Sequence, residues 1–230
     1  SDTNGSIRVP ASHCGLFGLK PTFGRLSRAG SFPFVSDLDH LGPLARSVED
    51  LALAYDAMQG ADAADPACTP DGVEPVAWLL ARGAKGLRIA KAGGYFAEGA
   101  DQAAFDAVEK VAKALHVTQS IDVPLAREAR GAAYLITMAQ GAALHLDRLK
   151  TRHRDFDPDV RDRLIAGAMV PGAWVAQAQK IRRLFRERML ALFGKVDVLL
   201  APAAPCRAPR IGQKTMVLAV QEMAVRPNMG

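Results

Sequence analysis

A serine in a turn of small residues is the first place where this 230-residue sequence suggests chemistry. Ser6 follows Gly5 and closes the run Ser1-Asp2-Thr3-Asn4-Gly5-Ser6. A serine hydroxyl can attack a carbonyl carbon, and the backbone N–H groups of such a turn can stabilise the oxyanion that forms. The pattern fits acyl transfer, but taken alone it also fits an ordinary turn, where serine and glycine are common.

Other side chains with catalytic or metal-binding chemistry do not form a group that we can interpret. The three cysteines, Cys14, Cys68 and Cys206, are too few and too far apart for a disulfide scaffold or a zinc motif. Asp37 and Asp39 have the surroundings of turn residues. The sequence also lacks the glycine loop of a nucleotide enzyme. We therefore predict no metal ion and no organic cofactor.

The elements that must position Ser6 alternate between helices and strands. The first forty-five residues are rich in glycine and proline and predict loops and short strands. Three helices are predicted to begin at N-caps: one after Ser47, one from Asp101 to about Leu115, and one from Pro158 after Asp157. Two more helices are predicted over 125–150 and from Pro171 to about Phe193. Strands are predicted over 87–90, 117–123 and 196–201. This alternation predicts an α/β architecture.

The composition predicts a globular protein, and the two chain ends predict a partial domain. Hydrophobic residues make up 49% and charged residues 23%, an ordinary globular balance. No signal peptide and no apolar run of about eighteen residues is present, so we predict a cytoplasmic protein with no membrane contact. The chain starts at Ser1 rather than Met and stops in a turn-like stretch. We therefore expect residues 1–230 to be one partial domain, truncated at both ends.

Ser6 belongs to a longer string of motif residues. They are Asp2, Gly5-Ser6-Ile7-Arg8, Pro10, Cys14-Gly15, Gly18-Leu19-Lys20-Pro21-Thr22, Gly24-Arg25, Leu41-Gly42-Pro43 and Ala45-Arg46-Ser47. The later Asp197-Val198-Leu199-Leu200-Ala201-Pro202 continues the pattern. This string resembles the amidase signature family. The resemblance implies a mixed sheet flanked by helices on both faces, incomplete in this chain.

The resemblance also implies roles for the residues of the turn. Ser6 matches the family's nucleophile, and the backbone amides of Thr3, Asn4, Gly5 and Ser6 would form the oxyanion hole. In the family, a lysine acts as the base through a second serine with a cis peptide bond, and both lie upstream of this segment. Lys20 belongs to an element that is structural in the family. Because a serine hydroxyl without its base is a poor nucleophile, we expect the isolated chain to be inactive.

Asn4 stands where the common family pattern has glycine. With this asparagine, segments 2–12 and 18–30 are most similar to the branch that hydrolyses 1-carboxybiuret, a small ureido carboxylate in cyanuric acid breakdown, and releases ammonia. That branch associates with a small helical subunit related to the amidotransferase C subunit, which implies an oligomer for the full-length protein. Arg182 resembles the helix position that binds the substrate carboxylate in the amidotransferase branch, a task suited to the guanidinium fork, and Tyr95 is a second substrate-binding candidate. An exposed arginine and a packed loop tyrosine remain the alternatives.

Two other functions stay open. The A subunit of tRNA-dependent amidotransferases, which hydrolyses glutamine, shares the residues matched at Ser6. A non-catalytic interaction module would instead use the basic segment 180–188 in this chain of net charge +5. However, Ile181, Leu184 and Phe185 fall at helical spacing between the charges. A solvated helix face is thus the simpler interpretation, and we do not expect nucleic-acid binding.

Overall fold

The chain forms two compact units. The computed structural model describes residues 1–218 and 221–225. Unit 1 comprises Ser1–Gly30, His40–Val123 and Leu192–Gly230, and unit 2 comprises Ser31–Asp39 and Pro124–Ala191. Each unit is therefore assembled from segments that are distant along the chain. The predicted single partial domain over 1–230 stays a prediction.

Unit 1 contains all the strands of the described chain. They are β1 (Phe17–Gly18), β2 (Leu44–Ala45), β3 (Ile89–Gly93), β4 (Ser120–Asp122), β5 (Val198–Leu200), β6 (Thr215–Leu218) and β7 (Gln221–Ala224). A three-stranded parallel sheet has the order β4-β3-β5, while β1 pairs with β2 and β6 with β7 in antiparallel fashion. Ala90 of the central strand is fully buried and lies opposite Leu199.

The helices of unit 1 are α1 (Arg8–Cys14), α2 (Val48–Met58) and α3 (Gln102–Ala114). The predicted N-caps of α2 and α3 are confirmed, since Ser47 accepts the Asp50 N–H and Asp101 accepts the Ala104 N–H. The prediction of loops and short strands before residue 45 missed α1. Proline at position 10 lies in the first turn of that helix, where its missing N–H costs nothing.

Unit 2 is helical. Its helices are α4 (Ala126–Arg152), α5 (Pro158–Ala168) and α6 (Gly172–Phe193), and the last belongs to the unit as far as Ala191. Asp157 caps α5 through the Asp159 N–H, as predicted. The buried core consists of Val35, Ala132, Ile136 and Ala178, with Leu38, Leu135 and Ile181 packed against it. Helices α4 and α5 approach so closely that a Cβ at Gly167 would collide with the Met138 carbonyl.

The predicted α/β class is confirmed, with parallel and antiparallel strand pairs beside long helices. Strand β3 is displaced from its predicted range, and β4 and β5 are shorter than theirs. The predicted strand 87–90 lies at 89–93, because pairing with β4 and β5 determines where β3 begins and ends. In the described part of the chain, no helix has the length and apolarity needed to cross a bilayer.

Candidate active site

A buried carboxylate organises the turn that carries Ser6. Asp2 is 0% exposed, and its backbone exchanges two hydrogen bonds with His40, of 2.8 and 2.9 Å. Its Oδ1 accepts the N–H of Gly5 at 2.8 Å, and its Oδ2 accepts the N–H of Ile7 at 3.2 Å. One carboxylate therefore holds the backbone on both sides of Ser6.

The charge of Asp2 is balanced by Arg8. Nε and Nη2 of the guanidinium donate to the two carboxylate oxygens, each at 3.0 Å, in a bidentate pair. Burial acts to raise the pKa of Asp2, but the hydrogen bonds and charge of Arg8, helped by two backbone N–H groups, hold that pKa below its usual value. The carboxylate is thus ionised at neutral pH.

Ser6 itself points out of this arrangement. The residue is exposed and lies in the turn that leads into α1, whereas the next residue, Ile7, is 0% exposed. Gly5 adopts φ 141°, a conformation that favours glycine. Within residues 1–218 and 221–225, no side chain or backbone group is hydrogen-bonded to the Ser6 hydroxyl. The hydroxyl is therefore accessible on a backbone that is anchored at both neighbours.

The four residues predicted to supply oxyanion donors, Thr3, Asn4, Gly5 and Ser6, lie in this one turn. The Gly5 N–H already donates to the buried Asp2 carboxylate. An oxyanion role for that amide would require it to leave a charge-assisted bond.

Lys20 supports the turn from a neighbouring segment. Its Nζ lies 3.2 Å from Nε2 of His40, the residue whose backbone pairs with Asp2, and it donates to the Pro21 carbonyl at 3.3 Å. Burial and the charge of Arg8 lower the pKa of Lys20, and the Asp2 carboxylate partly opposes them. These contacts fit the structural role predicted for Lys20.

Tyr95 lies in unit 1 in the 3₁₀ turn Gly94–Ala97, directly after β3. It is half-buried and makes an edge contact with Phe96, with ring centroids 5.5 Å apart. The position is the carboxyl end of a parallel strand, where ligands of α/β proteins commonly bind. Its substrate-binding role stays a prediction.

Arg182 lies in unit 2, on α6, and is ordered by Asp37. Its Nη2 donates to the Asp37 backbone carbonyl at 3.0 Å, and its Nη1 lies 3.5 Å from the Asp37 carboxylate. The sequence interpretation missed this pair, because it treated Asp37 as a turn residue only. The spacing of Gln179 and Arg182 places both on one face of a helix, but it does not indicate Asp37 as their partner, which lies 145 positions from Arg182.

The remainder of the basic segment is a solvated helix face, as predicted. Ile181 packs against the core of unit 2, whereas Lys180, Arg183 and Arg186 are exposed. Among the described residues, no three His, Cys, Asp or Glu side chains are grouped so that they could hold a metal ion.

The amidase family model matches residues 1–229. The chain is 50% identical over 230 residues to AtzE of Pseudomonas sp. (strain ADP), which is part of 1-carboxybiuret hydrolase, and the match covers 100% of this chain and 50% of that protein. It is 37% identical over 243 residues to the A subunit of the glutamyl-tRNA(Gln) amidotransferase of Azotobacter vinelandii (strain DJ), and this match covers 93% of this chain and 50% of that protein.

Solved structures show the same relationship. One is the structure of a vestigial protein complex that reveals the evolutionary origins of an s-triazine catabolic enzyme. It matches with a TM-score of 0.97 at 50% identity, over 99% of this chain and 50% of that chain. A crystal structure of an amidase matches with a TM-score of 0.79 at 25% identity, again over 99% and 50%. The chain thus spans about half the length of the curated relatives it matches.

Proposed function

The chain belongs to the amidase signature family, and we propose that it is part of a serine-dependent amidohydrolase in which Ser6 is the nucleophile. One observation carries this proposal. Ser6 is exposed, while the N–H groups of Gly5 and Ile7 on either side of it are bound by the buried Asp2 carboxylate. A nucleophile on a backbone anchored in this way is held in one orientation toward its substrate.

In the proposed reaction, the Ser6 oxygen attacks the carbonyl carbon of an amide and forms a tetrahedral oxyanion. The N–H groups of Thr3, Asn4, Gly5 and Ser6 are the proposed donors, and that of Gly5 would leave its bond to Asp2 to take this role. The C–N bond then breaks, and the nitrogen takes up a proton and leaves as ammonia. Water attacks the acyl-Ser6 ester and regenerates the hydroxyl.

The proposed base lies outside residues 1–230. A lysine acting through a bridging serine, as the family resemblance implies, would take the Ser6 proton. No described residue is hydrogen-bonded to the Ser6 hydroxyl in a way that could replace that base. The isolated 230-residue chain is therefore proposed to be inactive.

The proposed substrate is a small ureido carboxylate of the 1-carboxybiuret type. The 50% identity to a component of 1-carboxybiuret hydrolase supports this choice. Arg182 is the proposed ligand of the substrate carboxylate, and Tyr95 a second substrate contact. We further propose a cytoplasmic enzyme that forms an oligomer and binds a small helical subunit related to the amidotransferase C subunit.

A second candidate function is glutamine hydrolysis for an amidotransferase. The 37% identity to the glutamyl-tRNA(Gln) amidotransferase protein supports it, and the lower identity ranks it second. Both candidates use the same Ser6 chemistry and differ in the substrate.

The test measures ammonia release by the whole protein from 1-carboxybiuret and from glutamine. We expect hydrolysis of 1-carboxybiuret, and a loss of at least about 10⁴-fold in kcat for Ser6→Ala. Ser12→Ala is the matched control, because Ser12 is an exposed serine of α1 whose hydroxyl donates to the Val9 carbonyl at 2.8 Å. A Ser6→Ala variant with normal activity would reject the nucleophile, and a preference for glutamine would favour the second candidate.

A further inference from the structure

The Asp37 carboxylate accepts two hydrogen bonds and forms one ion pair within unit 2. Its Oδ2 accepts Nε2 of Gln140 at 2.7 Å and Nε2 of Gln179 at 2.9 Å, and lies 3.5 Å from Nη1 of Arg182. The donors come from α4 and α6, which are separate in the sequence. Asp37 therefore joins two helices and the loop 31–39 at a single oxygen atom.

The two glutamine amides are held at both ends. Oε1 of Gln140 accepts the Asp37 N–H at 3.4 Å and the Ser36 hydroxyl at 3.2 Å. Oε1 of Gln179 accepts Nη1 of Arg182 at 3.3 Å. Because each amide uses its oxygen and its nitrogen, neither side chain can flip without losing a bond. The network thus fixes the orientation of the Asp37 carboxylate.

Arg182 uses one end of its guanidinium in this network. Nη2 donates to the Asp37 carbonyl, and Nη1 faces Gln179 and the Asp37 carboxylate. Within the described chain, Nε–H and the second Nη2–H of Arg182 have no acceptor, and its side chain is 43% exposed. Nε and Nη2 form one edge of the planar guanidinium, and such an edge is the fork that binds a carboxylate through two parallel hydrogen bonds.

We propose that Asp37 is a positioning residue that aims the Nε–Nη2 edge of Arg182 at the substrate carboxylate. This inference rests on the carboxylate-binding role proposed for Arg182. An arginine side chain in solvent has many rotamers, and ordering it upon binding costs free energy. The Asp37 carbonyl and carboxylate order the guanidinium beforehand, so the substrate meets a fork that is already oriented.

The experiment separates binding from chemistry in the whole protein. KM and kcat are measured for 1-carboxybiuret and for biuret, which lacks the carboxylate. For Asp37→Ala we expect KM for 1-carboxybiuret to rise about tenfold with kcat little changed, and the biuret constants to stay the same. Arg182→Ala should raise the same KM at least as much. Arg183→Ala, which removes an exposed charge from the next position of α6, should leave KM unchanged.

The double variant provides the sharpest readout. If Asp37 acts only through Arg182, Asp37→Ala combined with Arg182→Ala should have the KM of Arg182→Ala alone. Three outcomes would overturn the positioning role while leaving Arg182 as the carboxylate ligand. They are a double-variant KM that rises by the product of the two single-variant increases, an unchanged KM for Asp37→Ala, and a change in the biuret constants as large as that for 1-carboxybiuret. An unchanged KM for Arg182→Ala, or no hydrolysis of 1-carboxybiuret by the wild-type protein, would instead reject the proposed function together with this inference.

Discussion

The carboxylates of Asp2 in unit 1 and Asp37 in unit 2 each accept hydrogen bonds from more than one residue. They differ in how far away along the chain those residues are and in how exposed the carboxylate is. The donors to Asp2 come from residues 3, 5 and 6 positions away, and its side chain is 0% exposed. The side-chain donors to the Asp37 carboxylate come from 103 and 142 positions away, and its side chain is 38% exposed. The first closes a turn, whereas the second joins distant elements.

Because Asp2 and Asp37 differ in exposure, we expect the contacts of Asp2 to stabilise the fold and those of Asp37 to orient Arg182. A buried charge that loses its partners is strongly unfavourable, so the contacts of Asp2 are expected to stabilise the fold. A solvent-exposed ion pair contributes little to the free energy of unfolding, because water screens it. The contacts of Asp37 are therefore expected to orient Arg182 without adding much stability. Three measurements test this contrast.

The largest effect is expected for Asp2→Ala. The change leaves Arg8 and the N–H groups of Gly5 and Ile7 without their acceptor and should lower the free energy of unfolding by about 2–4 kcal/mol. The full cost of an orphaned buried ion is not expected, because the Arg8 side chain is 45% exposed. Urea unfolding of the whole protein measures the change. Asp50→Ala, at an exposed carboxylate in the first turn of α2, is the control and should cost less than about 1 kcal/mol. Equal losses in the two variants would contradict the prediction.

A smaller effect is expected from acid, because a protonated carboxyl still accepts hydrogen bonds. The folded-state pKa of Asp2 is lowered, so its contribution to stability is complete above its unfolded pKa and is lost as pH falls through the folded value. The free energy of unfolding should therefore decrease below about pH 4, and Asp2→Asn should make that decrease shallower. Part of the slope should remain, because Arg88 lowers the pKa of Asp197 to about 2. Denaturant unfolding at a series of pH values provides the test, and identical slopes would argue against it.

The smallest effect on stability is expected for Asp37→Ala. Its free energy of unfolding should fall by only about 1–2 kcal/mol, because the lost ion pair with Arg182 and the lost hydrogen bonds from Gln140 and Gln179 are partly solvated. The same protein samples are used for urea unfolding and for the kinetic assays, so stability and KM are compared directly. A loss of stability as large as that of Asp2→Ala would show that Asp37 is chiefly a structural residue.

The same contrast in sequence distance explains what could be predicted. The caps at Ser47, Asp101 and Asp157 bond to residues two or three positions ahead, and all three were found from the sequence. Helix α1 was missed because it is short and contains Pro10, although Gly15 in the left-handed conformation marks its end.

Long-range pairing was not predictable from one sequence. The first residue of β3 is determined by its partners in β4 and β5, which no local pattern specifies. Ser6 was chosen as the candidate nucleophile from its motif, whereas the partners of Asp37 in unit 2 were not found, because they are more than a hundred positions away. Local contacts leave a pattern in neighbouring residues, and distant contacts do not.

The way unit 2 is assembled has a consequence for synthesis on the ribosome. Its loop, Ser31–Asp39, emerges long before α4 and α6, whose side chains cover Val35 and bond to Asp37. At translation rates of about 5–20 residues per second, the ribosome needs at least several seconds after making this loop to synthesise α4 and α6. Closing contacts across so many residues also slows folding itself. The nascent chain must therefore carry this apolar stretch uncovered, as a target for chaperones, until the helices that pack against it have been made.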